Sequence, residues 1–430
     1  MSAPSARPTE ADRDAARDLC AFIDASPSPF HAVAAIAESL GAAGFAGLDE
    51  RSRWSLSAGE LGYVVRDGGS IIAFRVGSQP PAEAGLRIVG AHTDSPTFRV
   101  RPNPEVSRAE YGLLGVEVYG GPLHYTWLDR DLTLAGRVVD HDDHIRLVHL
   151  PGAPLRIPSL AIHMNRDLYE KGLQLNMQQH LVPMFAAVAG DGDLASLLAD
   201  QVGGQPVTWD LVLADTQASA LGGLDEQFVL APRQDNLVSC HAGIQALIQS
   251  QPSAATQVVI CNDHEEAGSR TAEGAAGPFL EDTVRRLVAA TGDSDPQSVP
   301  RALAGSILVS ADAAHALHPN YVDRHDGGHQ PRLGGGPVIK SHANQAYATD
   351  AGTAAHFLAR CRDAQVPVQH FTNRADQPSG STIGPLTATR LGMPTVDVGN
   401  PLLSMHSIRE QSATVDLLYL ARALREHLSA

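Results

Sequence analysis

Five segments of the chain place metal-ligating or proton-carrying side chains just after an apolar run or at the mouth of a helix. Residues 86–90 (LRIVG) lead into His92 and Asp94, and residues 257–261 (QVVIC) lead into Asp263, His264, Glu265 and Glu266. Residues 306–310 (SILVS) lead into Asp312 and His315, and residues 395–398 (TVDV) lead through Gly399 and Asn400 toward His406. In APRQDN, Asp235 stands at the mouth of a helix that begins at Asn236. Imidazole and carboxylate together suit zinc, cobalt or manganese, whereas calcium takes oxygen ligands. A pair of such ions ~3.5–4 Å apart needs about five protein ligands, one of them a bridging carboxylate. His92, Asp235, Glu266, Asp312 and His406 supply that number. Glu265 is left free beside them, and hydrolysis needs a free carboxylate to take a proton from water.

Each position also has a plainer reading. Asp235 can serve as a helix N-cap, His406 as a buried histidine with one hydrogen bond, and Glu265–Glu266 as a solvated charge pair. A generic sheet has no need of five such positions in one chain, which favours a shared site. Competing motifs fail. HEEAG at 264–268 has Gly268 where HExxH requires its second histidine. No Walker lysine motif and no GxGxxG after a strand occur, and Ser381 sits in GSTIG rather than in a GxSxG elbow.

Ligands so far apart in sequence converge only if the fold brings strand ends together, and open α/β sheets do so at the carboxyl edge of the sheet. Residues 14–47 read as helical with a break near Pro27 and Pro29, and two short strands follow at 62–66 and 71–76. From 97 to about 231 the texture becomes short alternating runs (115–119, 132–139, 146–149) among Gly, Pro and His, with a weak helical signal until 183–188. After Arg233 helices (236–250, 279–291, 351–362, 414–427, and one opening at SGSTIG) alternate with strands (257–261, 306–310, 366–371, 395–398). The expected fold class is α/β, with a largely parallel sheet covered by helices on both faces. Residues 1–96 and 232–430 then form one discontinuous domain, interrupted by a β-rich insertion at 97–231. Residues 327–336 read as a mobile Gly-rich loop.

Composition narrows the function from the other side. With 430 residues and a net charge of −16, the chain is poorly suited to nucleic acid or an anionic membrane surface. No run approaches the ~18 apolar residues of a spanning helix. The polar first residues lack the apolar core of a signal peptide, so the expected setting is cytoplasmic. Cys20, Cys240, Cys261 and Cys361 are widely spaced without a CxxC and read as reduced thiols. Nineteen histidines are unusual and point toward metal or proton chemistry.

The segments GAHTDSP (90–96), SLAIHMNR (159–166), PRQDNL (232–237), DHEEAGS (263–269), SADAAHALHPNY (310–321), VIKSHANQAYATD (338–350) and SGSTIGPLTATRLGMPTVDVGNPLLSMHSIRE (379–410) resemble the M18 metallo-aminopeptidases, the aspartyl aminopeptidase-like family. They follow the family's order over almost the whole chain. The resemblance implies a zinc-peptidase/phosphorylase-like fold with an inserted dimerisation domain, and two divalent ions, zinc before cobalt or manganese. It implies His92, Asp235 and Asp312 around one ion, and Asp235, Glu266 and His406 around the other. Glu265 would be the general base and Asp94 would orient His92. His163 would be either a metal ligand or, in the reading preferred here, a residue lent by a neighbouring subunit to the substrate. His315, Lys340 and Tyr347 would contact substrate, and Lys340 is one of only two lysines that could favour acidic N-termini. Peptides would be the substrates, and self-association through dimers to a tetrahedral dodecamer would be the assembly. The alternatives are an aminopeptidase of broader specificity and a related dinuclear carboxypeptidase or amidohydrolase, in which Arg374 would take the substrate carboxylate. A non-catalytic assembly or metal-binding protein would not need Glu265.

Overall fold

The first helical stretch is cut where good helix formers give way to Ser26-Pro27-Ser28-Pro29. Helix Glu10–Asp24 opens on a capping box: the Asp12 N–H donates to the Thr9 hydroxyl (3.3 Å) and the Thr9 N–H to the Asp12 carboxylate (2.8 Å). Ser28 caps the next helix, Pro29–Ala42, with Pro29 at a first-turn position where a missing N–H costs nothing. The helical pattern does not reach 47 as expected. Ala46–Leu48 is a strand, drawn into parallel pairing with Leu61–Arg66.

The computed structural model describes residues 7–191 and 193–430. Nine strands form one mixed sheet in the order Ala46–Leu48, Leu61–Arg66, Ser70–Arg75, Thr256–Asn262, Leu86–His92, Ile307–Ala311, Thr395–Gly399, Val338–Lys340, Gln369–Phe371. The four strands from Thr256–Asn262 to Thr395–Gly399 are mutually parallel, so their carboxyl ends share one edge. These strands are apolar on both faces, as strands covered twice must be. Val89, Val259, Val309 and Val396 pack toward helices Glu10–Asp24, Pro29–Ala42, Gln234–Gln249 and Asp416–Leu428. Ile88, Val258, Ile260 and Leu308 pack on the opposite face with Phe279, Val284 and Leu287 of helix Phe279–Ala290.

Between Asp94 and the second half of this sheet the chain builds a separate antiparallel sheet of seven strands. Pairing of Pro206–Asp215 with both Thr97–Arg108 and Asp131–Asp140 closes it around Phe98, Leu114, Trp127, Leu134 and Leu211. The helical signal at 183–188 is overridden here. Met184–Ala186 is a short strand opposite Leu113 and Arg156, and the nearby helix is Leu194–Val202, capped by Asp193. Strand Ala220–Gly222 pairs with Phe228–Ala231, which pairs in turn with Glu410–Ala413, in a third sheet that also holds Pro401–Leu403 and Ala314–His315.

The Gly-rich segment is anchored rather than free, contrary to the sequence expectation. The N–H groups of Gly334 and Gly336 donate to the buried Asp416 carboxylate at 2.7 and 2.9 Å. Gly336 adopts a φ of 82°, and a Cβ there would meet the Pro367 carbonyl at 2.2 Å. Composition signals the turn, but the anchor comes from a helix far away in sequence. Cys20, Cys240, Cys261 and Cys361 are buried free thiols, and among the described residues no helix is long and apolar enough to cross a membrane.

Candidate metal centre

The parallel edge delivers its side chains to one point. His92 ends Leu86–His92, Asp312 follows Ile307–Ala311, and Glu265 and Glu266 lie in a tight turn after Thr256–Asn262. His406 follows Thr395–Gly399 and Pro401–Leu403, and Asp235 lies in the first turn of Gln234–Gln249. Arg233, His264 and His406 take left-handed φ values of 54°, 65° and 66°. Such backbone in non-glycine residues is held by its surroundings and clusters at functional sites.

His92 Nε2 is 3.4 Å from Asp235 Oδ1 and 3.5 Å from Asp312 Oδ1. His406 Nε2 is 3.4 Å from Asp235 Oδ2 and 3.3 Å from Glu266 Oε1. The two oxygens of Asp235 therefore each face a different histidine–carboxylate group. Ligands about 2.0–2.1 Å from a tetrahedral zinc ion lie roughly 3.3–3.4 Å from one another. The spacings fit that ion, and Asp235 Oδ1 is buried with no hydrogen-bond partner among the described residues. The residues present thus suit divalent metal. His92 with Asp235 and Asp312, Asp235 with Glu266 and His406, and His92 with Glu265 and Glu266 all bring ligand atoms within 4.8 Å. A further group, Asp140 with Asp142 and His144, lies in a surface turn of the middle sheet.

Electrostatics tell the same story. Burial pushes the Glu265 carboxyl up to about 9, with Asp312, Glu266 and Asp94 adding to the rise and His92 opposing it. Burial likewise raises Glu266 to about 7. Burial would raise Asp235 too, but the neighbouring imidazoles of His406 and His92 hold it well below the usual carboxylate range. Burial would lower His406, yet Asp235 and Glu266 carry it up to about 11. Crowded buried carboxylates of this kind are relieved by cations.

Around this set lies a frame of hydrogen bonds. The Nδ1–H of His92 donates to the Asp94 carbonyl (3.0 Å), with the Asp94 carboxylate 3.4 Å away, which leaves Nε2 directed at the centre. Asp94 is 1% exposed; its Oδ1 accepts from the Glu265 N–H and its Oδ2 from the Glu266 N–H, both at 3.0 Å. Oδ2 also accepts from the Tyr119 hydroxyl at 2.6 Å. Buried Glu410 accepts from the Asp235 N–H (3.0 Å) and the His406 N–H (2.7 Å). The Nδ1–H of His406 donates to the Gly121 carbonyl at 3.0 Å. Tyr119 and Gly121 lie in no motif, and Glu410 closes the 379–410 segment without a role assigned to it from sequence. The one available clue was an acid four residues beyond a candidate ligand, in HSIRE.

The substrate candidates separate. Lys340 is 2% exposed, donating to the carbonyls of Asp312 (3.0 Å) and Ala313 (3.2 Å), with Asp312 Oδ2 at 3.6 Å and the Tyr347 ring 5.2 Å away. It therefore braces the candidate ligand Asp312, and Tyr347 is buried beside it. His315 lines a cavity of ≈ 380 Å³ that reaches His406. Its wall carries four histidines (His315, His318, His325, His406), Arg324 and Arg374, and, among the described residues, no carboxylate. Arg374 is forked onto Asp376 at 2.8 and 2.6 Å. His163 is exposed in a short turn of the middle segment and belongs to none of the ligand groups among the described residues.

Comparison with known proteins matches residues 22–427 to the model of the Aminopeptidase I zinc metalloprotease (M18) family. The chain is 48% identical over 418 residues to a "Probable M18 family aminopeptidase 2" of Stutzerimonas stutzeri (strain A1501), covering 94% of this chain and 96% of that relative. Among solved structures it is similar to the "Cryo-EM structure of the Ape4 and Nbr1 complex", with a TM-score of 0.92, 36% identity and coverage of 97% and 86%. It is also similar to the "Structure of S. cerevesiae mApe1 dodecamer", with a TM-score of 0.84, 29% identity and 97% of each chain covered.

Proposed function

The chain belongs to the M18 family of zinc aminopeptidases, a metallo-hydrolase family, and from that premise we propose that it is a dinuclear enzyme removing N-terminal residues, acidic ones by preference. The observation that carries the dinuclear reading is Asp235, whose Oδ1 and Oδ2 face two separate histidine–carboxylate groups. His92, Asp235 and Asp312 would hold one ion, and Asp235, Glu266 and His406 the other. When bound, the ions supply an anchor for the free α-amine and Lewis acidity toward water and the scissile carbonyl. Glu265, free of ligand duty and half-buried, takes the proton of the attacking water and returns it to the leaving amine. Asp94 and Glu410 keep the ligands oriented through imidazole and backbone. Lys340 fixes Asp312 and lends positive field to the neighbouring cavity, with Tyr347 packed behind it.

The acidic preference rests on that cavity, because a protein at −16 does not attract acidic peptides through its global field. Both ring nitrogens of His325 are buried without a partner in its wall, and a carboxylate side chain would satisfy one of them. The catalytic unit is then of the zinc-peptidase/phosphorylase type, and the inserted sheet is its dimerisation domain. Support for the second point comes from Leu160, Ile162, Met164, Tyr169 and Leu173, exposed apolar side chains around His163. A second copy covering them would bring His163 to its neighbour's substrate, where it would stabilise the oxyanion. A dodecamer like that of mApe1 is the expected assembly.

The test is a panel of aspartyl-, glutamyl- and leucyl-anilides and an N-blocked peptide with a free C-terminus, with metal counted per chain. Two ions, release of the anilides and loss of activity with chelator are expected. Cleavage of the blocked peptide alone would favour the carboxypeptidase alternative. Glu265→Gln should retain both ions and lose about 10²–10⁴-fold in kcat; retained activity in that variant rejects the assignment of the base.

A further inference from the structure

The middle sheet reaches the metal centre through three consecutive residues. Strand Tyr111–Tyr119 ends with the Tyr119 hydroxyl donating to Asp94 Oδ2 at 2.6 Å. The next residue, Gly120, has a φ of 69°, and a Cβ there would come 3.1 Å from the Glu266 Cβ. The carbonyl of Gly121 then accepts the Nδ1–H of His406 at 3.0 Å. The same strand end is fastened back to the loop carrying His406, since the Leu123 N–H donates to the His406 carbonyl at 2.9 Å.

Asp94 is the node through which Tyr119 acts. Its carboxylate meets the backbone of Glu265 and Glu266 and sits 3.4 Å from His92 Nδ1, so its rotamer sets the position of one ligand histidine and of the turn carrying the base. Each of those contacts comes from a segment that itself bears a ligand or the base. Tyr119 is the partner contributed by the inserted sheet. A neutral phenol donor holds the carboxylate in place without neutralising it, and burial keeps that phenol protonated by pushing its pKa far up.

We propose that Tyr119 is a positioning residue of the metal centre, acting through Asp94, and that residues 119–121 are the strut by which the inserted sheet holds two ligands in register. The inference rests on the metal-binding reading above and adds to it a dependence of metal affinity on the insert.

Tyr119→Phe removes one hydroxyl and keeps the ring that stacks under Arg99 at 5.0 Å. The full-length variant is compared with the wild type in zinc affinity, by competition with a chromogenic chelator, and in thermal midpoint after metal removal. A fall of ~10–100-fold in zinc affinity, as for other groups that orient ligands, with the metal-free midpoint unchanged within about 2 °C, is expected. In an Asp94→Asn background the same change should have no further effect, because residues acting through one another are not additive. Equal zinc affinity in wild type and Tyr119→Phe overturns the inference alone. So does a loss that simply adds to that of Asp94→Asn, or a lowered metal-free midpoint with zinc affinity intact. A wild-type chain that binds no zinc overturns the metal reading with it.

Discussion

Glu410 holds two of the proposed ligands by their backbone rather than by their side chains. One oxygen takes the Asp235 N–H and the other the His406 N–H, so a single carboxylate fixes where both ligand side chains begin. Glu410→Gln keeps the shape but turns a donor toward one of those N–H groups, and zinc affinity should fall ~10–100-fold in the same chelator competition. His325 offers a different test. Its ring packs on Phe371 and both nitrogens lack partners, so His325→Ala should lower kcat/KM for glutamyl-anilide about tenfold and leave leucyl-anilide unchanged. Equal losses on both would mean the ring only packs. These two cases also mark how far the sequence could be read. That His92, Asp235, Glu265, Glu266, Asp312 and His406 would gather at one edge was legible, because ligand types at strand and helix ends serve little structural purpose. Glu410 and Tyr119 were not, because their work depends on which backbone N–H or carboxylate the fold brings against them. Lys340 was legible as a rare cation, but its burial against Asp312 was not.

At the scale of elements, the parallel strands could be read from short apolar runs breaking into polar residues, and the double burial that produces such runs is what the sheet shows. Local pattern failed where distant pairing decided the outcome, at Met184–Ala186 and at the anchored Gly334–Gly336 turn. Asp416 makes that anchor energetically specific. Burial raises its carboxyl to about 7, against the two N–H bonds that favour its charge. The folded state therefore holds this proton more tightly than the unfolded chain, and the group's contribution declines as pH rises from about 4 to about 7. Asp416→Ala should cost ~1–3 kcal/mol by stranding the buried Gly336 N–H and the part-buried Gly334 N–H, and the urea midpoint of the variant reads it directly.

For the molecule as a whole, part of the histidine excess lies outside the metal centre. His427 is fully buried, donating from Nε2 to the Ile88 carbonyl (3.0 Å) with Nδ1 3.0 Å from His356 Nε2. Burial, with the neighbouring His356, lowers its pKa to about 3, and burial lowers His356 and His31 to about 4. These groups stay neutral in the folded state while the unfolded chain takes up protons near 6.5. Their contribution is complete above that pH and is lost as pH falls toward 3–4. Between pH 7 and pH 5 the wild type should lose about 2 kcal/mol more than His427→Leu, measured as the difference in urea-unfolding free energy at the two values. Equal slopes would show that His427 protonates without cost.

The edge of the sheet that carries the proposed ligands has a kinetic consequence. His92 is synthesised before the entire inserted sheet and His406 after it. A centre whose parts are so far apart along the chain has a very high local contact order, and loops of that size close late in folding. On a nascent chain the early strand ends would present an incomplete ligand set to passing metal. Zinc is therefore expected to meet a nearly finished protein and to lock it by mass action, rather than to nucleate its folding as it does in a small zinc finger.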